Sequence, residues 1–361
     1  MSNSPVSGIL VDFKLEGSGI VNFDSTDQKF MFFKDANKKD DDRMPKVKAL
    51  AQINDNCNYS KKNFFYNEKG QLDFKVKISA ECFNKALFKE DYVEDNPRAL
   101  YDKNTLYNYL GSTHAILKGY LKATKGESLK RKGPITTGNI QQTCTALPTL
   151  PQAVKAGSKK SPISGKGSTS LFQYESLGDI KYSGTSFIDI GQLQFLSCDA
   201  AFDRYGFNPD NAEILIKSLN MNLNSTDTKL AYYKLSTSCL DLAEYGIKLN
   251  DDNVVYLVKE YIYRLLKTQI KRSNASADVI SVRIKLVRDP YVDTMRNPEG
   301  WDDIKNMKDI KNISFKPFDF YEEVSGVIVE KTEERINKGI EKEKAIIKEA
   351  AEEKALKSKK K

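Results

Sequence analysis

Histidine is almost missing from this chain: His114 is the only one in 361 residues. Imidazole is the side chain most easily poised as a general base near neutral pH, so hydrolytic chemistry would have to rest on carboxylates and a metal. Cysteine is sparse as well. Cys57, Cys82, Cys144, Cys198 and Cys239 are scattered with no pair at C-x-x-C spacing, which suggests neither a zinc site nor a disulfide framework, and no cofactor is implied. Buried, idle thiols are the expectation. No run approaches the roughly 18 uninterrupted apolar residues that a membrane helix needs, and Met1-Ser2-Asn3-Ser4-Pro5 lacks the basic-then-apolar pattern of a secretion signal. The expected location is the cytoplasm, away from membranes.

What is present describes a folded protein: 40% hydrophobic and 29% charged residues over 40.8 kDa are enough for a real core, with disorder expected only at the ends. The net charge of +8 is mild but unevenly spread. Between Lys118 and Lys166 ten basic residues face a single acid, Glu127, a surplus larger than that of the whole chain. The tail from Lys331 to Lys361 is basic too, with ten lysines and one arginine against seven glutamates. The remainder is therefore acidic, and a polyanion would be drawn to the 118–166 stretch, where neutralising phosphates releases counterions.

Alternation over Ile9, Val11, Phe13 and Leu15 predicts a strand, followed by a Gly17-Ser18-Gly19 turn and a second strand at Ile20-Val21-Asn22-Phe23. Asp24 to Arg43 is polar enough to be a loop or hairpin insertion. Ser79 is placed to cap a helix carrying Cys82, Phe83, Ala86 and Leu87 on one face, and a second helix follows Asp102 with Leu106, Tyr109, Leu110 and Thr113 on its apolar side. Gly126 to Ser170 has little periodicity, and so long a stretch without regular elements is usually functional or disordered; its charge favours functional. Gln192, Phe195 and Leu196 stand at helical spacing, Asp251 is expected to cap a helix through Leu266, and Val279 to Val287 reads as a strand with Arg283 and Lys285 on one face. Beyond Ile328 the tail is expected to be a projecting or partly disordered helix, with a boundary at 330/331. Together these elements suit an α+β domain whose sheet is built from distant segments.

Three stretches, in this order, resemble the CRISPR Cascade backbone subunit from the compact variant of subtype I-F. Gly8-Ile9-Leu10-Val11-Asp12-Phe13-Lys14 through Phe23 resembles its opening strand and turn. Ala115-Ile116-Leu117-Lys118-Gly119-Tyr120, continued by Lys130-Arg131-Lys132-Gly133-Pro134-Ile135-Thr136, is similar to its glycine-containing basic signature and basic-x-Pro motif. Ser168-Thr169-Ser170-Leu171-Phe172, then Gly191-Gln192-Leu193-Gln194-Phe195-Leu196-Ser197 and Phe202-Asp203-Arg204, resembles its central block, and Met44-Pro45-Lys46-Val47-Lys48 resembles a Leu-Pro-Lys-type element. The likeness runs in patches from about residue 7 to about residue 290.

The resemblance implies a RAMP-type palm with an RRM-like (ferredoxin-like) sheet, a thumb hairpin, helical and loop insertions, and no catalysis. It also implies CRISPR guide RNA as ligand, with further copies of the chain head-to-tail, other Cascade subunits and target DNA paired to the guide as partners. Such a protein grips the sugar-phosphate backbone without reading sequence. Candidate RNA contacts in the basic signature are Lys118, Lys130, Arg131, Lys132 and Thr136, three adjacent cations beside Gly and Pro being good phosphate ligands. Lys46 and Lys48 join them from the Pro-Lys element. From the loop-rich stretch come Lys159, Lys160, Lys166, Ser168, Thr169 and Ser170, and from the central block Gln194, which could face either way. Two rival functions remain: a type III-like endoribonuclease using Asp40, Asp41, Asp42 or Asp55, and a guide-independent single-strand binder using some of the 18 Tyr and 18 Phe as stacking platforms.

Overall fold

The computed structural model describes residues 4–18, 23–24, 59–60, 62–66, 70, 72–89, 102–124, 127–143, 152–155, 159–160, 167–168, 171–174, 179–199, 204–224, 227–238, 242–272, 275–288, 300–335, 337–338 and 341. Alternation decides the first element. Ile9, Val11, Phe13 and Leu15 are buried while Lys14 and Glu16 between them are exposed, so strand β1 (Gly8–Ser18) turns one face to the core and leaves the other open.

There follow β2 (Lys62–Tyr66) and β3 (Leu72–Ile78), then helices α1 (Ala80–Leu87), α2 (Lys103–Leu110) and α3 (Thr113–Lys118). Next come β4 (Gly119–Thr124), β5 (Glu127–Lys132), β6 (Ile135–Thr137), β7 (Ile140–Gln142) and the long β8 (Asp179–Asp189). The second half contributes α4 (Ile190–Gln194), β9 (Phe195–Ser197), α5 (Ala212–Leu223), β10 (Leu230–Leu235), β11 (Ala243–Lys248) and α6 (Asp251–Leu266). It closes with β12 (Gln269–Arg272), β13 (Ala275–Val287), β14 (Asp302–Ile304), α7 (Met307–Asn312) and β15 (Tyr321–Glu323).

The fold is mixed α/β, built on an antiparallel main sheet in the order β12-β13-β1-β8-β7-β3-β2, with β14 added to β13 and β6 to β8. Strand β1 is central because chain-distant β8 and β13 each pair with it along its whole length, from Gly8↔Asp189 and Gly8↔Val287 onward. A bulge opposite Lys14/Leu15 shifts the β13 register and leaves Ile280 half exposed. A second antiparallel sheet, β9-β11-β10-β15, stands apart from the first.

Helices cover the buried face of the main sheet. Ser79 caps α1 as the sequence predicts, accepting from the Cys82 N–H at 3.3 Å, and Phe83 stacks on Phe13 with ring centroids 4.8 Å apart. Asp102 caps α2 by accepting from Thr105 N–H at 2.8 Å. The helix expected to run through Thr113 breaks at Gly111, and Ser112 caps a new one. Long α6 carries Val254, Leu257, Val258, Tyr261, Ile262 and Leu265 fully buried at helical spacing; its cap is Asn250, one residue before the expected Asp251. Among the described residues no helix is long and apolar enough to cross a membrane.

Three expectations need correcting. The stretch from Gly126 is not a loop at its start, since Glu127–Lys132, Ile135–Thr137 and Ile140–Gln142 are strands, their short runs hiding the period in sequence. The helical spacing of Gln192, Phe195 and Leu196 misleads, because α4 ends at Gln194 and the chain continues as β9. Lys285 does not lie on an open basic face: it is 3% exposed, its Nζ 6.0 Å from the ring centroid of Trp301, over which Arg283 stacks at 4.5 Å. Beyond Ile328 the chain is helical as expected, within a helix, 327–335, that packs on the body with Thr332 fully buried.

Replacing Phe83 with Ala should lower unfolding stability by about 3–5 kcal/mol, the range for emptying a buried aromatic site. Urea denaturation followed by circular dichroism would measure it, and a loss below about 1 kcal/mol would show that the α1 contact with β1 contributes little to the core.

Candidate nucleic-acid interface

The basic signature occupies a corner where two glycines let two chain segments cross. Helix α3 ends at Lys118, and Gly119 beyond it has φ +76°, a conformation that favours a residue without Cβ. A Cβ on Gly119 would lie 2.3 Å from the Gly133 nitrogen, and a Cβ on Gly133 would lie 2.3 Å from the Lys118 carbonyl oxygen. The close approach sets the backbones of Lys118-Gly119 and Lys132-Gly133 side by side, with Gly119 opposite Lys132 in the β4–β5 ladder.

That ladder pairs Tyr120 with Arg131, Leu121 with Lys130 and Lys122 with Leu129. Because facing residues of an antiparallel pair share a side, the hairpin has two distinct faces. Inward point Tyr120, Arg131 and Leu129, all buried. On the outward side lie Leu121, 70% exposed, the half-buried Lys130, and exposed Ser128 and Lys132. Lys122 places its ammonium 5.0 Å from the ring centroid of Tyr109.

Arg131 therefore differs from its two neighbours. Its guanidinium donates to the carbonyl of Ile116 in α3 and, at 2.8 Å, to that of Gln192 in α4, so one cation satisfies carbonyls near the C-terminal ends of two short helices. Burial pulls its pKa below the usual value, and nearby Tyr120 and Tyr321 oppose the shift. Of the expected phosphate contacts, Arg131 is placed inward by strand alternation, where its hydrogen bonds brace the hairpin. Tyr120 completes the brace, its hydroxyl donating to Gly206 O at 2.8 Å, with burial raising its pKa. The Lys130 N–H donates to Tyr205 O at 2.8 Å, which ties the outer edge of β5 to the same segment.

Gln194, which could face either way by sequence, is likewise placed inward. It is completely buried, its Oε1 accepts from Phe320 N–H at 3.2 Å, and its carbonyl accepts from Leu249 N–H at 2.8 Å, so it joins α4 to distant chain rather than facing a ligand. Thr136 is exposed on β6, opposite Phe187 of β8. Lys159 and Ser168 are register partners, as are Lys160 and Gly167. Nearby, Gln152–Lys155 pairs with Leu171–Tyr174. These two ladders follow one another along the 152–174 stretch with a one-residue change of register, the pattern of a hairpin arm. Lys46, Lys48, Lys166, Thr169 and Ser170 lie outside the described residues.

The structure thus groups Lys118, Lys130 and Lys132 at one corner, keeps Thr136 a few residues away on β6, and withdraws Arg131 and Gln194 into the interior. Sequence reasoning passed over Leu121 as a site residue, although alternation across Tyr120-Leu121-Lys122 was the signal that could have found it. An exposed leucine beside lysines suits a surface that meets sugars or bases as well as phosphates. Of the described cysteines, Cys198 is buried and its thiol pKa is pushed up to about 12, first by burial and then by Asp199.

A family model described as type I-Fv CRISPR-associated protein Cas7fv-like matches residues 8–321. No curated protein sequence matches the chain. Among solved structures, one titled CRISPR RNA-guided surveillance complex is similar with 10% identity and a TM-score of 0.35, covering 77% of this chain and 68% of its own. Another, titled CRISPR RNA-guided surveillance complex, pre-nicking, has 10% identity and a TM-score of 0.37, covering 77% of this chain and 75% of its own.

Arg131→Ala leaves two interior carbonyls without their donor, and the expected loss of stability is about 1–3 kcal/mol. A lower urea midpoint at unchanged m-value checks it; an unmoved midpoint would mean that the guanidinium does not brace the hairpin.

Proposed function

The chain belongs to the type I-Fv CRISPR-associated Cas7fv-like family, and from that premise we propose that it is a non-catalytic backbone subunit that binds CRISPR guide RNA in a Cascade-type surveillance complex. The observation that carries this reading is the two-faced β4–β5 hairpin: Lys130 and Lys132 on its outer face, Lys118 at its foot, and Arg131 and Tyr120 locked inside. A hairpin braced on its inner face presents its cations at fixed spacing, which favours gripping a sugar-phosphate backbone without reading bases.

The arrangement of the main sheet supports an RRM-like palm. Taking β1, β7, β8 and β13 as first to fourth strands, their order across the sheet is 4-1-3-2, with α1 before the second strand and α6 before the fourth. In this reading the thumb falls on the paired segments Gln152–Lys155 with Leu171–Tyr174 and Lys159–Lys160 with Gly167–Ser168. In this reading copies polymerise head-to-tail along one guide RNA, beside other Cascade subunits, and leave the bases free to pair with target DNA. The aspartates that an endoribonuclease would recruit, Asp40, Asp41, Asp42 and Asp55, lie outside the described residues.

Sequencing the RNA that copurifies with the protein tests the assignment. Fragments of defined length with one constant, repeat-derived end are expected; heterogeneous nucleic acid would point to a general single-strand binder, and a magnesium-dependent ladder of cleaved RNA to a nuclease. Lys130→Ala/Lys132→Ala should weaken guide binding and reduce the slope of log K against log salt by about 0.7 per lysine. An unchanged slope would remove the hairpin from the interface.

A further inference from the structure

The segment that supports the β4–β5 hairpin is itself held from the far end of the chain. Tyr205 accepts the Lys130 N–H and Gly206 accepts the Tyr120 hydroxyl. Gly206 in turn donates its N–H to Ser197 O at 3.0 Å, and Arg204 N–H reaches Asp199 O at 3.4 Å. Asp199 donates its own N–H to the Ser197 hydroxyl at 3.1 Å. Its carboxylate, 1% exposed, is met at 2.9 Å by the Arg335 guanidinium, which projects from the 327–335 helix at the start of the C-terminal tail.

That helix is seated by more than one contact. Thr332 is fully buried, and its hydroxyl accepts from Ala243 N–H at 3.2 Å, at the first residue of β11, while donating to Ile328 O at 2.7 Å. Glu333 accepts from the Tyr232 hydroxyl at 3.2 Å. Next to Ala243, the largely buried Glu244 pairs with Arg204 at 3.2 Å. Two carboxylates, Asp199 and Glu244, are therefore balanced by two arginines at the point where the hairpin's support meets the second sheet. Without Arg335 an almost completely buried carboxylate would keep the like charge of Glu244 nearby and lose the guanidinium that meets it at 2.9 Å, which disfavours the present arrangement. The position of Arg204 to Gly206, and with it the hydrogen bonds to Lys130 and Tyr120, would no longer be fixed.

We propose that Arg335 is a positioning residue for the nucleic-acid-binding hairpin: by holding Asp199 it fixes the Arg204–Gly206 segment on which β4 and β5 rest, so the first turns of the tail set how tightly the guide is gripped. The inference rests on the RNA-binding reading of that hairpin. It assigns the tail a role that its thin apolar stripe does not disclose, since the coupling runs through one ion pair and a short series of hydrogen bonds.

The test compares the full-length protein with Arg335→Ala and Arg335→Lys by hydrogen exchange and by guide-RNA binding at several salt concentrations. For Arg335→Ala, faster exchange of the Lys130 amide is expected, with guide affinity reduced about fivefold, at the low end of usual site-to-site coupling, and the salt slope unchanged. Arg335→Lys should restore most of both, because an ammonium can replace the positive charge that the Arg335 guanidinium brings to Asp199 at 2.9 Å. Asp199→Asn provides a second route to the same loosening. Unchanged exchange at Lys130 in Arg335→Ala would overturn the proposal. So would a salt slope reduced by one phosphate contact, because Arg335 would then touch RNA directly. Failure of the wild type to bind guide RNA would sink the functional reading, and the exchange measurement would still decide whether Arg335 positions the hairpin.

Discussion

The crossing of the chain at Gly119 and Gly133 is the constraint from which the rest of the site follows. Neither residue could carry a Cβ without collision with backbone, so α3 must end where it does and β5 must leave where it does. With those two points fixed, the β4–β5 register is fixed, and strand alternation then sorts a run of three cations into two outward lysines and one inward arginine. The distribution of charge on the surface is thus a consequence of a backbone close approach.

Arg131 shows how a buried cation can serve a surface site. Its hydrogen bonds to Ile116 and Gln192 carbonyls join α3 and α4, which otherwise leave carbonyls unpaired at their ends. The hairpin is consequently attached to the helical layer on one side and, through Tyr120 and the Lys130 amide, to Tyr205 and Gly206 on the other. A cationic surface held on both sides loses less conformational entropy when a polyanion binds than a free loop of the same composition would. This is the physical difference between a basic tract and a basic site.

The main sheet contributes in another way. Strand β1 is paired along its full length by strands that lie far away in sequence, and the polar side of that sheet is partly closed by Arg283 and Lys285 gathering around Trp301 and by the Asp12–Arg283 pair at 2.8 Å. Those cations are used for internal order. Lys118, Lys130 and Lys132 stand instead at the hairpin corner, in the 118–166 stretch whose positive surplus exceeds that of the whole chain.

The sequence by itself determined the local matters: the alternating β1, the Ser79 and Asp102 caps, the long amphipathic α6, the concentration of charge after Lys118, and a likeness to one family of CRISPR backbone proteins. Each depends on residues close together in the chain, where period and capping chemistry are legible. Only the tertiary structure decided that Arg131, Gln194 and Lys285 are interior, that the stretch after Gly126 opens as three short strands, and that the start of the tail packs on the body through Thr332 and Arg335. The reason is common to all of them. Whether a polar side chain faces water or an orphaned carbonyl is set by partners 15 to 280 residues away, and no local pattern records where those partners will be.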